Sequence, residues 1–248
     1  MFVSPKMVPF TIATLFLALL YTPPIAAMSV EPLVIDAVTT GKGSSQSFKV
    51  GNDGAAPLPV EIRISRMEIG SQGELAFEPA DEEFIVYPPQ AIIPKGGVQI
   101  FRLQWIGNPT IKASRTYRFS VSQVPVKLPK EISGIQINMS FGVIVSVSPP
   151  QGSAAVLVTG VTLSDLKDGK RTAALKVKNT GVKHAYLRNA AINLAGGGWS
   201  AKLSPFEVEQ RVGLGIVQPG KERRFLLPVE APGNVSDITA SIDYQPEK

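Results

Sequence analysis

The sequence predicts an all-β protein built as two related sandwich or barrel domains in tandem, and three observations predict it. Short runs rich in Val and Ile recur along the chain, several alternating apolar with polar residues, and Pro, Gly and Asn clusters separate them. Few segments carry a helical period. Two sequence patterns of the first half return in the second at nearly the same offset.

The N-terminal stretch reads as a secretory leader. Lys6 supplies a positive start, Phe10 to Tyr21 is apolar and uncharged, and Pro23 and Pro24 break it. Ile25-Ala26-Ala27 resembles a cleavage site, so residues 1–27 are expected to be removed and the mature chain to begin near Met28. The stretch is too short for an ordinary membrane span, with an uncleaved anchor as the alternative. The remaining 28–248 suit two domains of ordinary size.

Strand-like runs follow in order. Val60 to Ile64 and Tyr117 to Val121 alternate, and Leu175 to Val177 and Phe225 to Val229 are further short strands. Phe48-Lys49-Val50-Gly51-Asn52-Asp53-Gly54 is echoed 127 residues later by Leu175-Lys176-Val177-Lys178-Asn179-Thr180-Gly181. The turn at Pro94 and Gly96 is echoed by that at Pro219 and Gly220, a Pro-to-Pro offset of 125. The boundary is expected at Pro149-Pro150-Gln151-Gly152-Ser153, giving domains over 28–150 and 151–248.

One strand stands apart. From Gly134 to Val147 the apolar residues Ile135, Ile137, Met139, Phe141, Val143, Val145 and Val147 occupy every second position. A strand of that length spans about 45 Å at about 3.3 Å per residue, well beyond the usual five or six residues. A long apolar edge is an aggregation hazard, so its presence suggests a partner that covers it. An internal strand shared between two sheets is the alternative.

Here the chain resembles the PapD-like periplasmic pilus chaperones. Phe48 to Ile64 looks like their second and third strands with an Asn-containing turn. Phe84 to Trp105 resembles their stretch of aromatic, Pro-Pro, Pro-x-Gly and Arg-Leu, and Ser114 to Pro125 resembles their penultimate strand. The resemblance covers most of the first domain and only loosely the second. It implies two immunoglobulin-like sandwiches with a cleft between them and no catalytic activity. It also implies a periplasmic location and pilus subunits as partners, held by donor-strand complementation. The subunit-binding strand residues would be Ile137, Met139, Phe141, Val143 and Val145. An outer-membrane usher is a further partner by resemblance. Many members carry an Arg in the first strand and a Lys in the last. Here Glu31 to Val38 and the long strand have neither, so the match is to the divergent, archaic-type branch, in which Arg118 is the position expected to anchor the subunit's C-terminal carboxylate.

Other function classes find little support. Formal net charge is +5, but Lys and Arg are scattered, which argues against nucleic acid. There is no cysteine and a single histidine, His184, so a thiolate metal site or a catalytic triad is not expected, nor a cofactor or small-molecule substrate. His184 is expected as a surface or partly packed ring. Asp81-Glu82-Glu83 is expected as a solvated loop, and Gly196-Gly197-Gly198 as a turn or bulge. Trp105 and Trp199 are expected in the cores. A structural or adhesive sandwich protein is the alternative function.

Overall fold

The structure, a computed structural model, describes residues 28–124, 138–166 and 169–246. The expected leader, and the first residues of the long strand through Ile137, lie outside these.

The first half forms two sheets. One has the order β1 (Met28–Glu31), β3 (Ser45–Asn52), β8 (Val98–Trp105), β6 (Phe84–Tyr87). The other runs β2 (Val34–Val38), β10 (Ser140–Ser148), β9 (Arg115–Gln123), β4 (Leu58–Ile69), β5 (Leu75–Pro79), with β7 (Gln90–Ile93) also on β4. Alternation decides the inner faces: Phe48 and Val50 on β3, Phe101 and Leu103 on β8, and Tyr117, Phe119 and Val121 on β9 are buried in one core. Phe84 meets Trp105, Tyr117 and Phe119 edge-on at 4.9–5.0 Å, the arrangement aromatic quadrupoles favour.

The second half repeats the plan on a smaller scale. β11 (Val156–Asp165), β12 (Arg171–Asn179) and β17 (Glu222–Glu230) form one sheet, and β15 (Trp199–Leu203), β14 (Ala190–Gly196) and β18 (Thr239–Tyr244) another. β13 (Ala185–Tyr186) and β16 (Ile216–Val217) pair separately. Leu175, Val177, Ile192, Leu194, Leu203 and Leu227 fill the core, and Trp199 packs against it half-buried. The Gly196–Gly198 turn joins β14 to β15, with Gly197 and Gly198 at φ of 57° and 79°. One helix, α1 (Pro205–Val212), lays Val208 on the same core. No helix among the described residues is long and apolar enough to cross a membrane.

The sequence echo is a structural repeat. Asn52 and Asn179 are both buried at the ends of corresponding strands. The Asn52 amide donates to Ala56 O and Ile93 O, and its oxygen accepts from Gly54 N. Asn179 donates to Lys183 O and Val217 O and accepts from Gly181 N. Each residue's own carbonyl accepts from the turn glycine of the second echo, Gly96 N in one domain and Gly220 N in the other, at 2.8 Å in both cases. One side chain thus satisfies the backbone of two loops, which explains why an Asn recurs at both positions.

Candidate functional site: an open strand edge beside Arg118

β10 is divided along its length. Its C-terminal part, Ile144–Ser148, pairs in parallel with Val34–Val38 of β2, and Ile144 N donates to Leu33 O at 2.8 Å. Its N-terminal part, Ser140–Val143, pairs antiparallel with Phe119–Ser122 of β9, and among the described residues no strand occupies its other edge. This is a short row of backbone donors and acceptors open to a further strand.

The alternating face is divided in the same way. Val143, Val145 and Val147 are 0% exposed within the first core, whereas Met139 and Phe141 are half-buried at its rim. The expectation that Val143 and Val145 reach into a partner is therefore corrected: they are core residues of this chain. Between β2 and β9 the strand is internal, and its inner face has to fill the sandwich. Met139 and Phe141 lie where the edge is open, and Ile137 lies outside the described residues. The described part of the strand stays within one sheet rather than passing between two.

The opposite face of this sheet forms the floor of the cleft. Cross-strand neighbours Val34, Ile144, Arg118 and Ser65 stand in one row on it. Val34 and Ile144 pack with Met67 and Ile69 against Tyr186, Ile216 and Leu214 of the second half. Arg118 projects beside this contact. Its Nε donates to Ser120 Oγ at 3.1 Å, and its guanidinium carbon lies 4.5 Å from the centroid of the Phe77 ring. A Cβ at position 142 would approach Arg118 Cδ to 3.3 Å, so Gly142 leaves the room through which the Arg side chain passes. Arg63 on the same face is paired with Glu61, whereas Arg118 makes no ion pair among the described residues.

Neighbouring basic groups differ. Arg115 Nη1 donates to Glu83 Oε1 at 2.6 Å, and Tyr117 Oη donates to Glu83 Oε2 at 2.6 Å. Burial, followed by the Glu83 hydrogen bond and charge, pushes the Tyr117 phenol above its ordinary range, so it holds its proton throughout the physiological span. Asp81 Oδ1 accepts from Ile64 N. The expected solvated acid loop is therefore partly structural: Asp81 and Glu83 tie the turn before β6 to β4 and β9, while Glu82 is exposed.

The two halves meet through contacts whose partners are remote in sequence. His184 is buried, with Nε2 2.7 Å from Asp36 Oδ1, and Tyr186 Oη donates to the same oxygen at 2.8 Å. Gln218 acts as a short strand: its Nε2 donates to Met67 O at 2.8 Å and its Oε1 accepts from Ile69 N at 2.9 Å. The tip of the β4–β5 hairpin is held as Arg224 N donates to Ser71 O at 2.8 Å. Sequence reasoning missed Asp36, Phe77 and Gln218, since the cues for their roles lie on other strands.

No family model and no curated protein matches the chain in sequence. Solved structures do match it. The class 5 fimbriae chaperone CfaA aligns with a TM-score of 0.55 at 16% identity, over 88% of this chain and 93% of that one. The chain has the fold of the fimbrial chaperones. A chain from a chaperone–tip adhesin complex of CFA/I fimbriae biogenesis aligns with a TM-score of 0.53 at 15% identity, over 90% of this chain and all (100%) of that one. A chain from the Salmonella enterica SafA pilin–SafB chaperone complex aligns at 0.51 and 14%, over 89% and 98%. The chaperone fold thus extends over both sandwiches, including the second, where sequence resemblance was loose.

Proposed function

We propose that this chain is a periplasmic pilus-assembly chaperone rather than an enzyme. It is exported by a leader over 1–27 and works as two domains, 28–150 and 151–248. It captures a subunit whose immunoglobulin-like fold lacks a strand, and presents it to an outer-membrane usher. The observation that carries the reading is the open edge at Ser140–Val143, with Met139 and Phe141 at its rim and Arg118 on the adjoining cleft floor. A subunit strand that pairs there would satisfy the open backbone groups, take Met139 and Phe141 into its groove and place a C-terminal carboxylate on Arg118. The pilin and tip adhesin complexes of two proteins with this fold support it.

Met139 and Phe141 are already half-buried, so completing their burial is worth about half of the roughly 3–6 kcal/mol that two fully exposed side chains would give, comparable to about 1.5–3 kcal/mol for a charge-assisted hydrogen bond. The main-chain hydrogen bonds of an added strand come on top of that burial, so the strand is expected to supply more affinity than Arg118, which sets register. Co-expression with a strand-deficient pilus subunit is expected to yield a one-to-one complex on size exclusion. The double substitution Met139→Ser, Phe141→Ser is expected to abolish it without lowering the melting temperature by more than a few degrees. A chain that takes no subunit but adheres alone to a surface or glycan would be an adhesin instead.

A further inference from the structure

Within that reading, β5 carries a feature the carboxylate anchor alone does not require. Its residues are exposed along the whole strand, yet Leu75 and Phe77 are large and apolar, at 54% and 39% exposure. Register places both on the cleft floor, since Leu75 is the cross-strand neighbour of Ile69 and Phe77 that of Met67, and Ile69 and Met67 belong to the contact between the domains. Ser65, between Arg118 and Pro79 in the next row, is a small residue that leaves space for the Phe77 ring and the Arg118 guanidinium to meet. A guanidinium laid on a ring keeps its edge N–H groups directed outward, in the plane that a carboxylate engages with two bonds. The ring thus restricts an otherwise flexible cation, and the apolar surface left uncovered lies beside the point where a chain end would be held.

We propose that Phe77 and Leu75 select the last residue of the bound subunit. Phe77 is the positioning residue for Arg118, and together with Leu75 it forms an apolar shelf for the terminal side chain, so that the cleft takes free C-termini ending in an apolar or aromatic residue. This rests on the chaperone reading above, and the test separates the two.

The probes are N-acetylated ten-residue peptides of one alternating apolar sequence that end in Phe, Leu, Ser or Asp, each made as free acid and as C-terminal amide. Binding to the mature full-length protein is read by competition against a labelled Phe-ending acid. The unsubstituted protein is expected to prefer acid over amide by about tenfold, and Phe or Leu over Ser by about tenfold, with Asp weakest. Phe77→Leu should cut the acid preference by about fivefold while preserving a preference for apolar ends, and Phe77→Trp should restore the acid preference. Leu75→Ser should reduce the preference for Phe over Ser and leave the acid preference intact. A merely structural Phe77 would weaken all peptides alike, and that result overturns the inference. So does an acid preference that Arg118→Ala removes but Phe77→Leu leaves whole, in which case the chaperone reading stands. If the unsubstituted protein shows no acid preference at all, the anchor at Arg118 falls, and the inference with it.

Discussion

Phe141 and Val143 are two residues apart on one face of β10, and their surroundings differ: one stands half-buried at the rim of the first core and the other is fully enclosed. Truncations in the two parts of the strand should therefore have opposite readouts. Val145→Ala, within the enclosed part, is expected to lower stability by about 2 kcal/mol in urea denaturation and to leave subunit capture intact at temperatures where the protein is folded. Phe141→Ser should do the reverse. Period-two alternation is legible in the sequence and places all these residues on one face; it does not tell whether a face is covered by the chain itself or by a partner, and so it points to Val143 and Val145 as donated along with Phe141. His184 shows the same limit from the other side. A single histidine reveals nothing of Asp36, which lies 148 residues away and reaches it only when the sandwiches meet.

At the scale of elements, Gln218 and α1 carry the sharpest consequences. β9 pairs with β4 only as far as Arg66, so the backbone of Met67 and Ile69 beyond it would be left open, and the buried amide of Gln218 completes the ladder from the other domain. Gln218→Ala removes both partners at once and is expected to cost about 2–4 kcal/mol, visible as a lower melting temperature and as faster hydrogen exchange at the Ile69 amide. The helix α1 opens on a capping box, Ser204 accepting from Glu207 N while the Glu207 carboxylate accepts from Ser204 N. The Ser204 backbone bond, then its hydroxyl, hold the Glu207 carboxyl below its ordinary value. A depressed carboxyl stabilises the fold above the unfolded-state value and loses that contribution as pH falls through the folded one. Amides of the first turn of α1 should lose exchange protection below about pH 4, and Glu207→Gln should abolish that pH dependence. The short strands and glycine turns were legible from pattern and composition; the pairing of β2 with β10 was not, because parallel neighbours distant in sequence leave no turn signal between them.

For the whole molecule, the tandem repeat was the most legible feature, because the Asn that ties the loops has to recur wherever that knot is built. The angle between the sandwiches was not legible, since it depends on a small apolar cluster and a few polar contacts drawn from both halves. Asp36 receives both Tyr186 and His184, so Asp36→Ala should leave each sandwich folded while widening the distribution of inter-domain angles, measured as a larger radius of gyration and a broader distance distribution in small-angle scattering. An unchanged scattering profile would show that the apolar cluster and the Gln218 and Arg224 contacts hold the cleft without Asp36.

The parallel seat of β2 on β10 has a consequence for any chain that adds to the open edge. An arriving strand can advance along β10 only until it meets Leu33 and Val34, which already hold the edge from Ile144 onward. The open segment of β10, Ser140 to Val143, is four residues and about 13 Å long. β2 thus works as a doorstop. It gives the visitor a fixed terminus irrespective of its sequence, so that lengthening a guest strand by two residues at its leading end should force it to bulge or to overhang rather than to pair further.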